Sequence, residues 1–351
     1  MRAKLLGLLV FIGSYSYGQD PHFSTYYGVP ISINPAYTGI FNGNIKAAAQ
    51  FRSQWGSVLS KESIPSYRTI QGSVELRTSK AFKKTDAFAV GLFGMNDMAG
   101  EGGYAVNNIG VSMGYRFAFD KWGDHFMSVG FKAALLQNRV DYSKFTWGTN
   151  YDVIRNMYVP GPSGETLIEN NKFNYDFSAG ILWVKKSDRT RIKYHGGVSL
   201  LHINRPNISF FDNPDAKLPM RMNAHVGASF PMGDNMDIMP KALFFLQGQS
   251  HEEILGVDLK FLLENENTYG NAFIIGALIR TVGGDSSSIN PESFAVTARI
   301  DVGDFEFGGA YDLNLSKLRA ASFYQGAFEF TLAYTGKFSR TRQRRMYCPS
   351  F

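Results

Sequence analysis

The sequence predicts an all-β protein, a transmembrane antiparallel β-barrel of about fourteen strands with long extracellular loops and short periplasmic turns. Three observations predict it. Segments of about 10–14 residues, roughly twice the common soluble strand length, place apolar side chains on one parity and polar or small ones on the other. Beyond residue 18 no stretch approaches the roughly 18 consecutive apolar residues of a membrane helix. Long and short connections mostly alternate between the segments.

The alternation is plain in Phe328, Phe330, Leu332 and Tyr334, which are interleaved with Glu329, Thr331, Ala333 and Thr335. Phe294, Val296, Ala298, Ile300 and Val302 stand against Thr297, Arg299 and Asp301. Met220, Met222, Ala224, Val226 and Ala228 alternate with Arg221, Asn223, His225 and Ser229, and Ile70, Val74 and Leu76 oppose Gln71, Ser73, Glu75 and Arg77. Successive side chains of a strand point to opposite faces, so each segment has one greasy and one polar face. About ten residues tilted near 45° cross a bilayer. In lipid every backbone N–H and C=O needs a partner, which strands achieve only by closing into a ring. The segments are 43–53, 67–78, 86–96, 103–118, 124–138, 173–185, 192–204, 220–230, 236–247, 252–263, 270–280, 292–302, 304–314 and 323–336.

With a periplasmic N-terminus, the odd connections face outward. They include 54–66, 139–172, 205–219 and 281–291, whereas the even ones include 185–191, 231–235 and the tight Gly303-Asp304. The chain therefore divides into a signal peptide (1–18), an N-terminal periplasmic segment acting as a partial plug (19–42), the barrel (43–336) and a basic periplasmic tail (337–351). Arg2 and Lys4 followed by apolar Leu5 to Ile12 and the small-residue exit Ser14 to Gly18 carry the first assignment. Phe23, Tyr26, Tyr27, Pro30, Pro35 and Tyr37 make the second segment too apolar to float free, and the expected place for it is the periplasmic mouth.

Composition agrees: 15% aromatic, 36 Gly and only 19% charged residues favour pleated surfaces and close backbone approach. The net charge of +6 falls to +4 once Arg2 and Lys4 leave with the signal, and much of the excess sits in Lys337 to Arg345. Elsewhere bases and acids are interspersed, which excludes a nucleic-acid partner. Cys348 has no second cysteine, so an internal disulfide is excluded.

No motif carries catalysis or a cofactor. Gly110-Val111-Ser112-Met113-Gly114 has the spacing of a nucleophile elbow, but lies mid-strand where the elbow requires a sharp strand-to-helix turn. The six histidines show no metal-ligand spacing. His225 shares a polar face with Arg221 and Asn223 and is expected to line the lumen, while His251-Glu252-Glu253 reads as a solvated cluster in a turn. Asp97, Glu101, Asp212, Asp215 and Asp285 fall in expected outer loops without calcium-loop spacing. The expectation is a non-enzyme without cofactor or metal. Binding surfaces are sought in the 139–172 connection, at Trp147, Tyr151 and Tyr158, and in the tail, at Arg340, Arg342, Arg344 and Arg345. Long structureless connections tend to be functional. The tail's cations suit leaflet headgroups or a periplasmic protein.

Gln19 to Ser24, Asn34-Pro35-Ala36-Tyr37-Thr38-Gly39 and Phe51-Arg52-Ser53-Gln54-Trp55 resemble the opening of the PorP/SprF family. Tyr311 to Ser316 and Gly326-Ala327-Phe328-Glu329 resemble that family's last two strands, and Cys348-Pro349 with terminal Phe351 its tail. The resemblance implies an outer-membrane accessory barrel of the type IX secretion system. It further implies that the barrel binds a secreted surface protein or adhesin through the C-terminal domain of that cargo, for export, anchoring or gliding motility, alongside other components of the system. The alternative is a FadL-like or porin-like channel for small or hydrophobic solutes.

Overall fold

The computed structural model describes residues 20–60, 65–78, 83, 85–100, 103–145, 147–159, 170–187, 190–211, 213–263, 271–283 and 290–338. Fourteen strands form one closed antiparallel barrel: β1 (Ile45–Gln54), β2 (Tyr67–Thr78), β3 (Ala87–Ala99), β4 (Tyr104–Ala118), β5 (His125–Arg139), β8 (Asn171–Lys186), β9 (Lys193–Leu201), β10 (Arg221–Pro231), β11 (Met236–Gln247), β12 (Ser250–Leu262), β13 (Ala272–Gly283), β14 (Asn290–Val302), β15 (Phe305–Asn314) and β16 (Gln325–Gly336). β6 (Tyr151–Asp152) and β7 (Met157–Tyr158) form a separate hairpin between β5 and β8. The ring closes where β1 pairs with β16, from Ile45 opposite Gly336 to Gln54 opposite Ala327. Among the described residues no helix is long and apolar enough to cross a membrane.

The two faces of each strand separate as the alternation requires. Ile70, Val74, Leu92, Ile109, Val226 and Leu255 face outward, Ile109 with 67% of its surface open. Gln71, Glu75, Arg116, Asn223, Asp258 and Glu329 face inward and are buried. The seventh expected segment, 192–204, which forms β9, ends earlier, at Leu201. His202 takes a left-handed conformation (φ 55°), which breaks the alternation and buries two consecutive side chains, Leu201 and His202.

We call the end holding Ile45 and Gly336 proximal and the opposite end distal. The strand ends flanking the longest connections, 140–170 and 202–220, are distal, but so are those flanking the two-residue turn 248–249, while the ends flanking 263–271 are proximal. The phase of long and short connections is thus less regular than the sequence suggested.

The largest difference concerns residues 20–44. At the proximal end the Asn44 amide donates to the Gly336 carbonyl (2.8 Å). At the other extreme Asp20 reaches His202, Arg221 and Gln247 at distal strand ends. The segment therefore runs the whole length of the lumen, deeper than one mouth. Its aromatic and aliphatic side chains, including Tyr26, Val29, Ile31, Ala36 and Tyr37, are buried against the inward faces of the barrel. Burial of that apolar surface, at about 25 cal/mol per Å2, favours full insertion over partial docking.

Candidate functional site

The segment is held on two opposite walls by different chemistry. On one wall, inward positions of neighbouring strands carry very small residues in register: Gly114 of β4 opposite Gly130 of β5, Gly130 opposite Gly180 of β8, and Gly180 opposite Ser199 of β9. Against this row lies the turn Asn34 to Gly39. A Cβ placed on Gly130 would stand 2.2 Å from the Pro35 carbonyl, and one on Gly180 would stand 2.1 Å from Asn34 Oδ1. Only glycine admits the backbone there.

Polar groups then fix the turn. Asn34 Oδ1 accepts from the Ala36 amide (2.9 Å) at the start of a 3-10 turn whose first residue is Pro35, a capping arrangement suited to proline at that position. This orients the amide so that Nδ2 donates to the Ile181 carbonyl (3.1 Å) and to His225 Nε2 (3.1 Å). The other imidazole nitrogen, Nδ1, faces the Tyr37 hydroxyl at 3.1 Å, with the two rings stacked 5.1 Å apart. Ser199 Oγ (2.5 Å) and Asn223 Nδ2 (2.6 Å) both donate to the Ile33 carbonyl. Ser112 is engaged structurally, its hydroxyl 2.5 Å from that of Thr38.

The opposite wall works by charge. The carboxylate of Glu329 on β16 accepts from two consecutive amides of the segment, Ser24 (2.7 Å) and Thr25 (2.9 Å). Arg52 of β1 bridges Glu329 and Asp312 of β15, with 2.9 Å to Asp312. Arg280 of β13 donates to Ser24 Oγ (2.9 Å), Asp312 (3.3 Å) and Glu292 (2.5 Å). Gln50 donates to the Thr25 carbonyl (2.9 Å). These charges are buried, Glu329 with 1% of its surface open. Buried charges persist only when paired and hydrogen-bonded, as here.

At the distal tip His202 lies between Asp176 (2.8 Å) and Asp20 (2.7 Å), and Arg221 is 3.5 Å from Asp20. Burial opposes a charge on His202, but the two carboxylates outweigh it and raise its pKa from 6.5 to about 9. Asp20 is also penalised by burial, yet His202 and Arg221 hold its pKa well below the usual carboxylate range.

His22, Glu252 and Glu292 offer possible metal-ligand atoms within 4.8 Å of one another. Arg280 Nε, however, lies 2.5 Å from Glu292 and 3.9 Å from Glu252, so a guanidinium already holds the place of a cation. Glu252 also corrects the reading of a solvated turn at 251–253. β12 begins at Ser250, which turns Glu252 into the lumen, 3.3 Å from His22. Asp97 lies on β3, where it accepts from Thr69 (2.6 Å), and not in a loop. Asp215 does lie in the 202–220 connection.

The sequence-selected binding residues fall elsewhere. Tyr151 and Tyr158 pair across the β6–β7 hairpin with ring centroids 5.1 Å apart, and Trp147 packs on Phe145 at 5.7 Å. Val153 and Ile154 form the hairpin tip, 81% and 97% exposed. Arg340, Arg342, Arg344, Arg345 and Cys348 lie outside the described residues, as do Glu101, Asp212, Asp285 and the expected signal peptide. Sequence reasoning did not single out Arg52, Arg280, Asp312 or Glu329. Their signal was present: each is a charge on the inward parity of a strand, and all but Arg280 lie inside the stretches that carry the family resemblance.

Together these features define a class: a membrane β-barrel whose lumen is occupied by its own N-terminal segment. The chain belongs to the PorP/SprF family of type IX secretion system membrane proteins, which it matches over residues 15–334. It is thus an outer-membrane barrel of that system. Among solved structures, the toluene transporter TbuX of Ralstonia pickettii is similar over 87% of this chain and 92% of its own, at 9% identity and a TM-score of 0.49. The CymD monoaromatic hydrocarbon channel has the same coverage and identity at a TM-score of 0.45. BamA from Haemophilus ducreyi, lacking POTRA domains 1–3, is similar over 83% of this chain and 70% of its own, at 10% identity and a TM-score of 0.43. These likenesses concern barrel architecture alone. No curated protein matches the sequence.

Proposed function

We propose that this barrel is an accessory component that captures a secreted surface protein, an adhesin, through the cargo's C-terminal domain and holds it for export or surface attachment, as in gliding motility. In this reading it acts by binding and not by catalysis. The distal end faces the cell exterior, and the proximal end, with the tail cations Arg340, Arg342, Arg344 and Arg345, faces periplasmic components of the system or leaflet phosphates. The observation that supports it best is the occupied lumen: a barrel filled by residues 20–44 presents its rim, not a pore. At that rim the β6–β7 hairpin exposes Tyr151, Val153, Ile154, Met157 and Tyr158. Exposed apolar clusters of this kind mark contact surfaces.

Deleting the gene is expected to abolish surface display of one adhesin while general secretion continues. Replacing both Val153 and Ile154 with Asp is expected to reproduce the display defect with the barrel still assembled. Unchanged display in the deletion strain would overturn the reading. Planar-bilayer recording addresses the channel alternative: a closed lumen is expected, and steady conductance by the wild-type protein would favour solute passage instead.

A further inference from the structure

We propose that the distal lumen contains a binding site for a small organic carboxylate with an apolar body, seated between Lys132 and the amides of Asn108 and Asn138. A cavity of about 160 Å3 lies there between the N-terminal segment and the barrel wall. Phe23, Tyr26, Phe93, Leu136, Leu201 and Phe245 supply its apolar surface. A cavity of about 150 Å3 accommodates a ring the size of benzene, which sets the scale of the occupant. On its distal side it is lined by Ile208 and Leu218 of the 202–220 connection.

The polar groups facing this cavity are incompletely matched. Lys132 is 3% exposed. Among the described residues its ammonium makes no hydrogen bond or ion pair, only a contact over the Phe93 ring at 4.7 Å. A buried ammonium without an anion is unfavourable. The nearby acids Asp20 and Asp176 are both committed to His202. Phe93 pairs with Gly110, which pairs with Ala134, one inward position distal to Lys132. The lysine stem therefore leans distally, into the cavity.

Further along the same face, Asn138 Oδ1 accepts from Tyr104 (3.0 Å) while its Nδ2 has no partner. Asn108 Nδ2 contacts Asp176 (3.4 Å) while its Oδ1 has none. Asn108 stands opposite Leu136, four residues beyond Lys132, or about 13 Å along the strand at ~3.3 Å per residue. The extended lysine spans roughly half of that distance. What remains fits a molecule with a carboxylate at the ammonium, a ring or short chain against Phe245 and Leu136, and a hydroxyl at the two amides. The ammonium supplies the charge selection: of the carboxylates that also line the cavity, Asp20 is held by His202 and Arg221 and Asp97 accepts from Thr69, which leaves Lys132 as the charge without a counter-ion.

Isothermal titration of the full-length protein in detergent with 4-hydroxyphenylacetate, 4-ethylphenol and tyramine tests this. These share the phenol ring and differ in the charge of the other end. The carboxylate is expected to bind at least tenfold more tightly than the neutral or cationic compound. Lys132→Met should remove that preference, and Asn138→Leu should weaken binding severalfold. Equal binding of the three compounds, no binding of the carboxylate, or an unchanged preference in Lys132→Met would overturn the proposal. If Lys132→Met does not assemble, the three-compound comparison on the unaltered chain decides alone.

Discussion

The two walls that hold residues 20–44 solve the same problem differently. The wall of β4, β5, β8 and β9 recognises the segment by shape: side chains are absent at Gly114, Gly130 and Gly180, and the turn sits in the resulting groove. The wall of β1, β13, β15 and β16 recognises it by charge, with Glu329 and Asp312 gripping Ser24 and Thr25 under the control of Arg52 and Arg280. Shape tolerates no addition and charge tolerates no removal. The comparison teaches where each wall can be broken.

The largest effect is expected on the charged wall. Arg52→Ala leaves two buried carboxylates without their shared cation, a change that typically costs about 3–5 kcal/mol. Thermal unfolding in detergent should show it, and a cysteine placed at Thr25, in a chain with Cys348 replaced by Ser, should become reactive to thiol reagents. A stability matching that of the unaltered chain would show that the clamp is dispensable. On the shape wall, Gly130→Val forces a side chain against the Pro35 backbone. Overpacking of this kind costs about 1–3 kcal/mol, and the turn 34–39 is expected to leave the groove while the barrel persists. Labelling of a cysteine at Ala36 reads this, and continued protection there would contradict the proposed fit.

Removing a single hydrogen bond tests the polar supplement to shape. Ser199→Ala should cost only about 1 kcal/mol, because Asn223 still donates to the Ile33 carbonyl. The smallest and most local effect concerns pH at the distal tip. His202 has its pKa raised from 6.5 to about 9, so the stability it contributes is fully present below 6.5 and is lost as pH rises through 9. Asp20 has a lowered pKa, so its contribution is present above the ordinary carboxylate value of 3.8 and lost on acidification below it. Protection from hydrogen exchange at residues 20–23, measured relative to the intrinsic rate at each pH, should be greatest between about pH 4 and 6.5 and fall above pH 9, with that of the 34–39 turn unaffected. A uniform loss of protection along the whole segment would mean that the two walls do not act separately.

Much of the barrel was legible because its physics is local. A strand with one face in lipid and one in a polar lumen must alternate, and the fourteen alternating segments correspond to the fourteen barrel strands, with boundaries differing by three residues or fewer. The shortfall at β9 has a local cause in the left-handed His202, which alternation does not register. The occupied lumen was only half legible. Phe23, Tyr26 and Tyr37 showed that the N-terminal segment needed burial, but nothing in its own sequence says how deep it goes. Glu252 was misread because a carboxylate beside a histidine has the composition of a turn, and its parity depends on where β12 begins.

That a ring of two-faced strands would form follows from the order of residues, since alternation, segment length and the lack of a membrane-length apolar run are properties of neighbours along the chain. The stretches of family resemblance contain the Asn34 to Gly39 turn and Arg52, Asp312 and Glu329, without marking them as partners. That these stretches meet is a property of the folded ring. Closing the sheet brings β1 beside β16 and sets three glycines from separate strands side by side, and such coincidences depend on register across the ring, which no single segment encodes.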